Sequence, residues 1–88
     1  MQLTPEYQGW LTRAMDRLAV GDARRFEDLL WLGFGDGWKP MLALLARGGY
    51  IRFGGQDRIT PAMTDRGETL LGQLRAAAIE NEAAVGAA

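Results

Sequence analysis

The stretch LLARGGYIRFGGQDRITPAMTDRGETLL, residues 44–71, contains three local signals that together decide the fold. An apolar helical pattern ends at Gly48 and Gly49, and two short runs of alternating character follow on either side of GGQ. Thr64 then provides the cap for a new helix. We therefore predict a β-hairpin between two helices.

The predicted strands cover residues 50–53 and 58–62, joined by a loop over residues 54–56. An odd loop length places Ile51 opposite Ile59 on the buried face and Arg52 opposite Arg58 on the exposed face. Two like charges directly opposite each other cost stability unless a negative group lies nearby. The predicted hairpin therefore exposes a pair of arginines.

Capping residues predict two helices before this stretch. Thr4 and Pro5 begin the first, and Gly21 ends it as a left-handed C-cap. Asp22 begins a second helix that extends to about Leu32.

The glycines of GFGDG, residues 33–37, end the second helix, and a third helix begins at about Trp38. The last helix is expected over residues 65–82, followed by a frayed tail over 83–88. The whole chain, 1–88, is expected to form one domain of α+β class that is mainly α.

Composition limits the classes of function. The 88 residues include no cysteine and no histidine, which removes thiolate nucleophiles, imidazole bases and the usual metal ligands. The glycine-rich pieces match neither a phosphate loop nor a dinucleotide fingerprint. We therefore expect a protein that is not an enzyme and that uses no cofactor or metal.

Hydropathy gives an expectation about location. No apolar run approaches the roughly 18 to 20 residues that a membrane span needs. The N-terminal residues show no basic region followed by an apolar block. We therefore expect a cytoplasmic protein that does not bind membranes.

Two motifs flank the predicted hairpin. On the entry side, two leucines of the third helix precede a glycine and an apolar pair, and on the exit side an apolar residue and threonine precede a glycine and two leucines. Their order and spacing resemble those of winged helix-turn-helix proteins, including prokaryotic regulators of the MarR and PadR type. The resemblance covers roughly residues 5–80, and it depends on Leu32, Gly33, Leu42, Leu45, Gly49, Tyr50, Ile51, Met63, Thr64, Gly67, Leu70 and Leu71.

The resemblance implies three helices, a β-hairpin wing and a C-terminal helix, with duplex DNA as the partner of a small transcriptional regulator. In that family the third helix enters the major groove and the wing reaches the phosphate backbone or minor groove. The outward positions of the third helix would be Asp36, Gly37, Lys39, Pro40, Ala43 and Arg47. This set offers few groups for reading bases, so the wing is the better electrostatic candidate.

The candidate nucleic-acid-binding residues are therefore Lys39, Arg47, Arg52, Arg58 and Arg66. An alternative interpretation places the wing arginines in surface ion pairs with Asp57, Asp65 and Glu68.

The competing functional hypothesis is a winged helix that binds a protein, as a phage-type inhibitor or regulatory partner would. An acidic pI of about 5.3 and the apolar third helix favour it. Its candidate binding residues are Phe34, Trp38 and Met41, because aromatic residues and methionine are typical of protein-binding patches. Trp10 is expected in the core, whereas Trp31, Trp38 or both are expected to be partly exposed.

The last helix also has an apolar stripe formed by Leu70, Leu74 and Ala78. Operators with two half-sites require two-fold protein symmetry. If the protein binds DNA as a homodimer, this stripe is the expected interface.

Overall fold

The computed structural model describes residues 4–54 and 60–87, and within the last helix it describes side chains as far as Ile79. This part of the chain forms four α-helices, a 3₁₀ turn and a two-stranded antiparallel hairpin, which confirms the predicted α+β class with mainly α content. The elements are α1 (Pro5–Ala19), α2 (Ala23–Phe34), the 3₁₀ turn (Gly35–Gly37), α3 (Trp38–Arg47), β1 (Ile51–Phe53), β2 (Pro61–Met63) and α4 (Asp65–Ala87).

Helix α1 begins and ends at the predicted residues. The Thr4 hydroxyl accepts a hydrogen bond from the Tyr7 amide at 3.3 Å, which satisfies one of the free amides of the first turn. At the other end Gly21 adopts a left-handed conformation, with φ of 85°, and its amide donates to the Leu18 carbonyl at 3.0 Å. Asp22 follows directly and caps α2, because its carboxylate accepts the Arg25 amide at 3.1 Å.

Gly33 lies inside α2, which corrects the expectation that this helix ends near Leu32 and that Gly33 opens the turn. Trp10 packs directly over it, and a Cβ at position 33 would lie 2.5 Å from the Trp10 Cβ. The glycine thus permits close approach of α1 and α2, and the helix continues to Phe34 before the 3₁₀ turn. Trp10 was predicted to be in the core, but it is half-buried at this contact and is not part of the central core.

Helix α3 ends as predicted, at a glycine in the left-handed region. Gly49 has φ of 77°, and its amide donates to the Ala46 carbonyl at 3.1 Å. The next amide, that of Tyr50, donates to the Leu45 carbonyl at 3.0 Å. These two bonds satisfy carbonyls of the last turn and direct the chain into the hairpin.

The predicted hairpin register is wrong. The Thr64 amide donates to the Tyr50 carbonyl at 3.3 Å, and Pro61, which has no amide hydrogen to donate, begins the second strand. The paired residues of the second strand are therefore closer to α4 in sequence than predicted. Arg58 and Ile59 lie outside the described residues. The observed pairs are Ile51 with Met63, Arg52 with Ala62 and Phe53 with Pro61.

Helix α4 begins at the predicted cap, since the Thr64 hydroxyl accepts the Gly67 amide at 3.0 Å. Its backbone stays helical to Ala87, past Glu82, where the frayed tail was expected to follow. The helix is about 34 Å long, and the molecule measures 50 Å along its longest axis. Leu74 is the last residue of α4 that belongs to the core within the described side chains.

The core lies between α1 and the other elements, and it contains no buried polar or charged side chain among the described residues. Met41 is only 6% exposed, and Leu74 only 7%. No helix in the described part of the chain is both long and apolar enough to cross a membrane. The core residues are Leu11, Ala14, Met15, Leu18, Phe26, Leu30, Met41, Leu45, Ile51, Leu71 and Leu74.

Candidate functional site

The end of α3, the hairpin and the start of α4 meet at one place, which we call the junction and define by Gly49, Tyr50, Thr64 and Gly67. The Thr64 hydroxyl donates to the Gly49 carbonyl at 2.6 Å and accepts the Gly67 amide at 3.0 Å. One side chain therefore links the exit of α3 to the first turn of α4.

Gly67 is buried where α4 crosses the hairpin. A Cβ at this position would overlap the Tyr50 carbonyl oxygen and would lie 2.5 Å from the Met63 sulfur. The absence of a side chain thus lets the two backbones approach closely and determines where the first turn of α4 lies.

Arg66 is positioned by the same junction. Its guanidinium carbon lies 5.1 Å from the centre of the Tyr50 ring, in a cation–π arrangement. A Cβ at Gly49 would lie 3.7 Å from the Arg66 Cδ, so the arginine stem runs beside the end of α3. The charged group remains exposed to solvent.

Arg52 lies at the centre of β1 and is also exposed. It has Ala62, and not the predicted Arg58, as its strand partner. It lines a shallow hollow together with Met63, Thr64 and Asp65, beside the first turn of α4. Arg52 and Arg66 therefore flank one edge of the molecule, and Arg58 lies outside the described residues.

Ion pairing distinguishes the two interpretations of these arginines. Within residues 4–54 and 60–79, the one ion pair joins Arg75 to Asp16, far along α4 from the hairpin. Arg52 and Arg66 are thus not paired with Asp65 or with Glu68, although both acids are on the same helix start. Asp57, the third proposed partner, lies outside the described residues.

The residues predicted to face outward from the third helix are all exposed, but Asp36 and Gly37 belong to the 3₁₀ turn that precedes α3. Lys39, Ala43 and Arg47 are exposed one helical turn apart. The two charges are about 12 Å apart along the helix axis, and the Lys39 ammonium lies 5.7 Å from the Trp38 ring. Sequence reasoning missed Leu44, which is 44% exposed, because the run of leucines in α3 does not distinguish inward from outward positions. This face can contact phosphates at its two ends but offers few groups for reading bases.

The predicted protein-binding patch does not form a continuous exposed surface. Met41 is a core residue, because it lies one turn from Trp38 and one turn from Leu45 on the buried side of α3. Phe34 is half-buried and stacks on Tyr7 with ring centres 5.2 Å apart. Trp38 is half-buried against the core, and its partial exposure agrees with the prediction.

The large exposed apolar residues of α2 are instead Trp31 and Leu32, which are 57% and 59% exposed. The partial exposure of Trp31 was predicted from its position off the apolar face of α2. The exposure of Leu32 was not predicted. Its helical spacing from Phe26 and Leu30 could have indicated it, because this spacing places Leu32 on the opposite side of α2.

The apolar stripe of α4 that was proposed for self-association packs mostly against other elements of the same chain. Leu74 belongs to the core, and Leu70 and Ala78 are half-buried. The exposed large residue on the described part of α4 is Ile79, at 67%. Leu70 and Leu74 together line a groove with residues of α1 and α3.

A second group of basic residues, between α1 and α2, was not found from the sequence. Arg13 and Arg17 of α1 and Arg25 of α2 line one groove with Asp16 and Leu29. The four-residue spacing of the two arginines on α1 was the available signal, but the antiparallel neighbour α2 was needed to bring Arg25 beside them.

No group of three or more potential metal-binding side chains lies among the described residues. Comparison with protein-family models, with curated proteins and with solved structures finds no match to this chain. The functional argument therefore depends on the geometry of its own residues.

Proposed function

We propose that the protein is a winged helix-turn-helix regulator that binds duplex DNA mainly through its phosphate backbone. In this proposal α2, the 3₁₀ turn and α3 form the helix-turn-helix unit, the hairpin is the wing, and the protein acts in the cytoplasm. The observation that supports it most directly is the exposure of Arg52 and Arg66 at one edge without an ion-pair partner among the described residues.

Both arginines have the chemistry that phosphate binding needs. A guanidinium group offers a planar fork of donors that matches the oxygens of a phosphate, and it keeps its charge at all relevant pH values. Arg66 is held against the Tyr50 ring, so it has less conformational freedom to lose on binding. Since neither arginine is engaged by a described carboxylate, no ion pair within the described part of the chain has to break before DNA binds.

The exposed surface of α3 favours DNA binding that depends only weakly on the base sequence of the DNA. Lys39 and Arg47 add two phosphate contacts, at the two ends of the exposed face. Between them stand Ala43 and Leu44, which have no donors or acceptors for base edges. We therefore expect affinity to be governed by salt more than by operator sequence.

The test is fluorescence anisotropy with random duplex DNA and with the duplex upstream of the protein's own coding region, at low and moderate salt. Each phosphate contact contributes a slope of about −0.9 in log affinity against log salt. Arg52, Arg58 and Arg66 therefore account for roughly −2 to −3, and Lys39 and Arg47 for about −2 more. Arg52→Ala and Arg66→Ala should each reduce the slope by about one contact. Arg17→Ala, an equal charge change on the outer side of α1, is the matched control and should leave the slope unchanged.

Two results contradict the proposal. One is the absence of binding to either duplex at low salt by a protein that circular dichroism shows to be folded. The other is an equal loss of affinity in Arg17→Ala and Arg66→Ala, which would indicate a response to net charge rather than a defined surface.

A second function, binding of a protein partner, is favoured by the exposed pair Trp31 and Leu32 on α2. Tryptophan is enriched among the residues that dominate protein interfaces, and an adjacent leucine enlarges the apolar area. A partner at this surface would bind almost independently of salt. Trp31→Ala would weaken the free energy of partner binding by about 2 kcal/mol or more, whereas Arg52→Ala would have little effect on this binding.

A further inference from the structure

The groove between α1 and α2, which we call the arginine groove, is lined by Arg13, Asp16 and Arg17 of α1 and by Arg25 and Leu29 of α2. Its volume is about 350 Å³, at the lower end of the range of about 300 to 1,000 Å³ that holds small ligands. It does not include the hairpin or α3, so it is separate from the surface proposed to bind DNA.

The groove faces away from the core. Arg13 and Arg17 are one turn apart on the side of α1 opposite to Leu11, and their Cβ atoms are therefore about 5 to 6 Å apart. Arg25 reaches the same space from the first turn of α2, and Leu29 follows it by one turn. Three arginines from two helices thus line one groove together with an apolar side chain.

The carboxylates nearby do not neutralise these arginines. Asp16 forms its ion pair with Arg75, which approaches from α4. Asp22 uses a carboxylate oxygen to cap α2. Arg13, Arg17 and Arg25 have no ion-pair partner among the residues that the structure describes.

One arginine of the groove, Arg13, is held by an aromatic contact with a neighbouring residue. The guanidinium carbon of Arg13 lies 5.1 Å from the centre of the Trp10 ring, and Trp10 is itself fixed by its contact with Gly33. A charged side chain held on an aromatic face has less freedom to lose when an anion binds. Like charges one turn apart destabilise an isolated helix, and a bound anion would relieve this repulsion.

We propose that the arginine groove binds the diphosphate or triphosphate group of a small ligand. A single carboxylate would neutralise one of the three arginines, whereas an oligophosphate carries several charges on a short chain. Its tetrahedral oxygens match the forked donors of arginine, and two forks separated by one helical turn can hold successive phosphoryl groups. Leu29 provides an apolar wall that excludes water from one side of the site and strengthens these contacts.

The test is isothermal titration of the full chain with sodium triphosphate at low salt, with citrate, a carboxylate anion of multiple charge, in parallel. Triphosphate should bind and citrate should bind at least about tenfold more weakly. Arg17→Gln and Arg25→Gln should each lower triphosphate affinity about tenfold or more, because each removes charge-assisted hydrogen bonds. Arg24→Gln is the matched control, since Arg24 is exposed on the same turn of α2 but does not line the groove.

The substitutions are at exposed positions, and circular dichroism will verify that each variant is folded. Adenosine triphosphate is the second probe: tighter binding than triphosphate indicates a nucleotide ligand, and equal binding indicates a free oligophosphate. The proposal is overturned by absence of binding at millimolar triphosphate, by equal binding of citrate, or by an equal effect of Arg24→Gln. It is also overturned if duplex DNA displaces triphosphate and Arg17→Gln weakens DNA binding, since the groove would then be part of the DNA surface.

Discussion

Gly67→Ala is the substitution for which the structure makes the sharpest stability prediction. In most helices this change stabilises, because glycine is less favourable than alanine by about 0.5 to 1 kcal/mol. At Gly67, however, the new methyl group would overlap the carbonyl oxygen of Tyr50 and would press on the Met63 sulfur. The methionine side chain can move, but the backbone carbonyl can yield only if the hairpin shifts away from α4.

The magnitude follows from two costs and one gain. Forcing an extra methyl group into a packed contact costs about 1 to 3 kcal/mol. Moving the Tyr50 carbonyl also weakens its bond with the Thr64 amide, 3.3 Å long, which contributes about 0.5 to 1.5 kcal/mol. After the gain in helix propensity is subtracted, the middle of these ranges gives a loss of about 2 kcal/mol in the free energy of unfolding of Gly67→Ala.

Thermal unfolding followed by circular dichroism at 222 nm measures this effect. A domain of this size loses roughly 4 to 8 °C in Tm for each kcal/mol, so the expected decrease is about 8 to 16 °C. Gly72→Ala is the matched control, since Gly72 is in the same helix and a Cβ there would meet open space. The control should raise Tm by a few degrees.

The opposite signs of the two changes make the reasoning refutable. If Gly67→Ala raises Tm as Gly72→Ala does, then α4 does not cross the hairpin as closely as described. A lowered Tm in both variants would instead show that helix propensity does not govern the exposed position.

Three further predictions concern exposure and backbone conformation. Gly49→Val should destabilise the protein by more than about 1 kcal/mol, because a β-branched residue is strained at φ of 77°; an unchanged Tm would contradict this. Leu74→Glu should unfold the chain, since Leu74 is a core residue, whereas Ile79→Glu should keep the fold and reduce the mass measured by light scattering if α4 forms a dimer interface. Met41→Ala should cost about 2 to 5 kcal/mol in chemical denaturation, and Trp31→Ala less than about 0.5 kcal/mol, because only the first side chain is buried.

The helix ends were predictable because their causes are local. Thr4, Asp22 and Thr64 each accept an amide hydrogen three residues further along the chain. Gly21 and Gly49 have the left-handed conformation that ends a helix. Signals of this kind need no knowledge of what the helix packs against.

The hairpin register was not predictable from the same kind of signal. Alternation along residues 58–63 fits more than one pairing with Ile51, because a shift by an even number of residues keeps the same side chains on each face. The observed register is fixed at the open end of the hairpin by the junction, where the Thr64 amide bonds to the Tyr50 carbonyl and α4 passes over the same carbonyl. These contacts join elements distant in sequence.

Tertiary contact also explains the errors at Gly33 and Met41. Gly33 was predicted to end α2, because glycine disfavours helix, but Trp10 of α1 packs over it and the helix continues. Met41 was predicted to belong to an exposed protein-binding patch, but the core extends far enough around α3 to cover it. At the candidate site, the positions of the charged residues along the chain were known from the sequence. Which of them form ion pairs, and that Arg25 lines a groove with the arginines of α1, depends on how the helices pack.

The length of α4 beyond the core has a mechanical consequence. Its backbone extends about 20 Å past Leu74, so a tilt of the packed part of the helix would displace the far end by a much larger distance. A rotation of 10° at Leu74, by way of illustration, would displace that end by about 3 to 4 Å. A protein or fluorophore attached after Ala87 would consequently report small tilts of α4 against the body, including any that accompany events at the junction, as displacements large enough to measure.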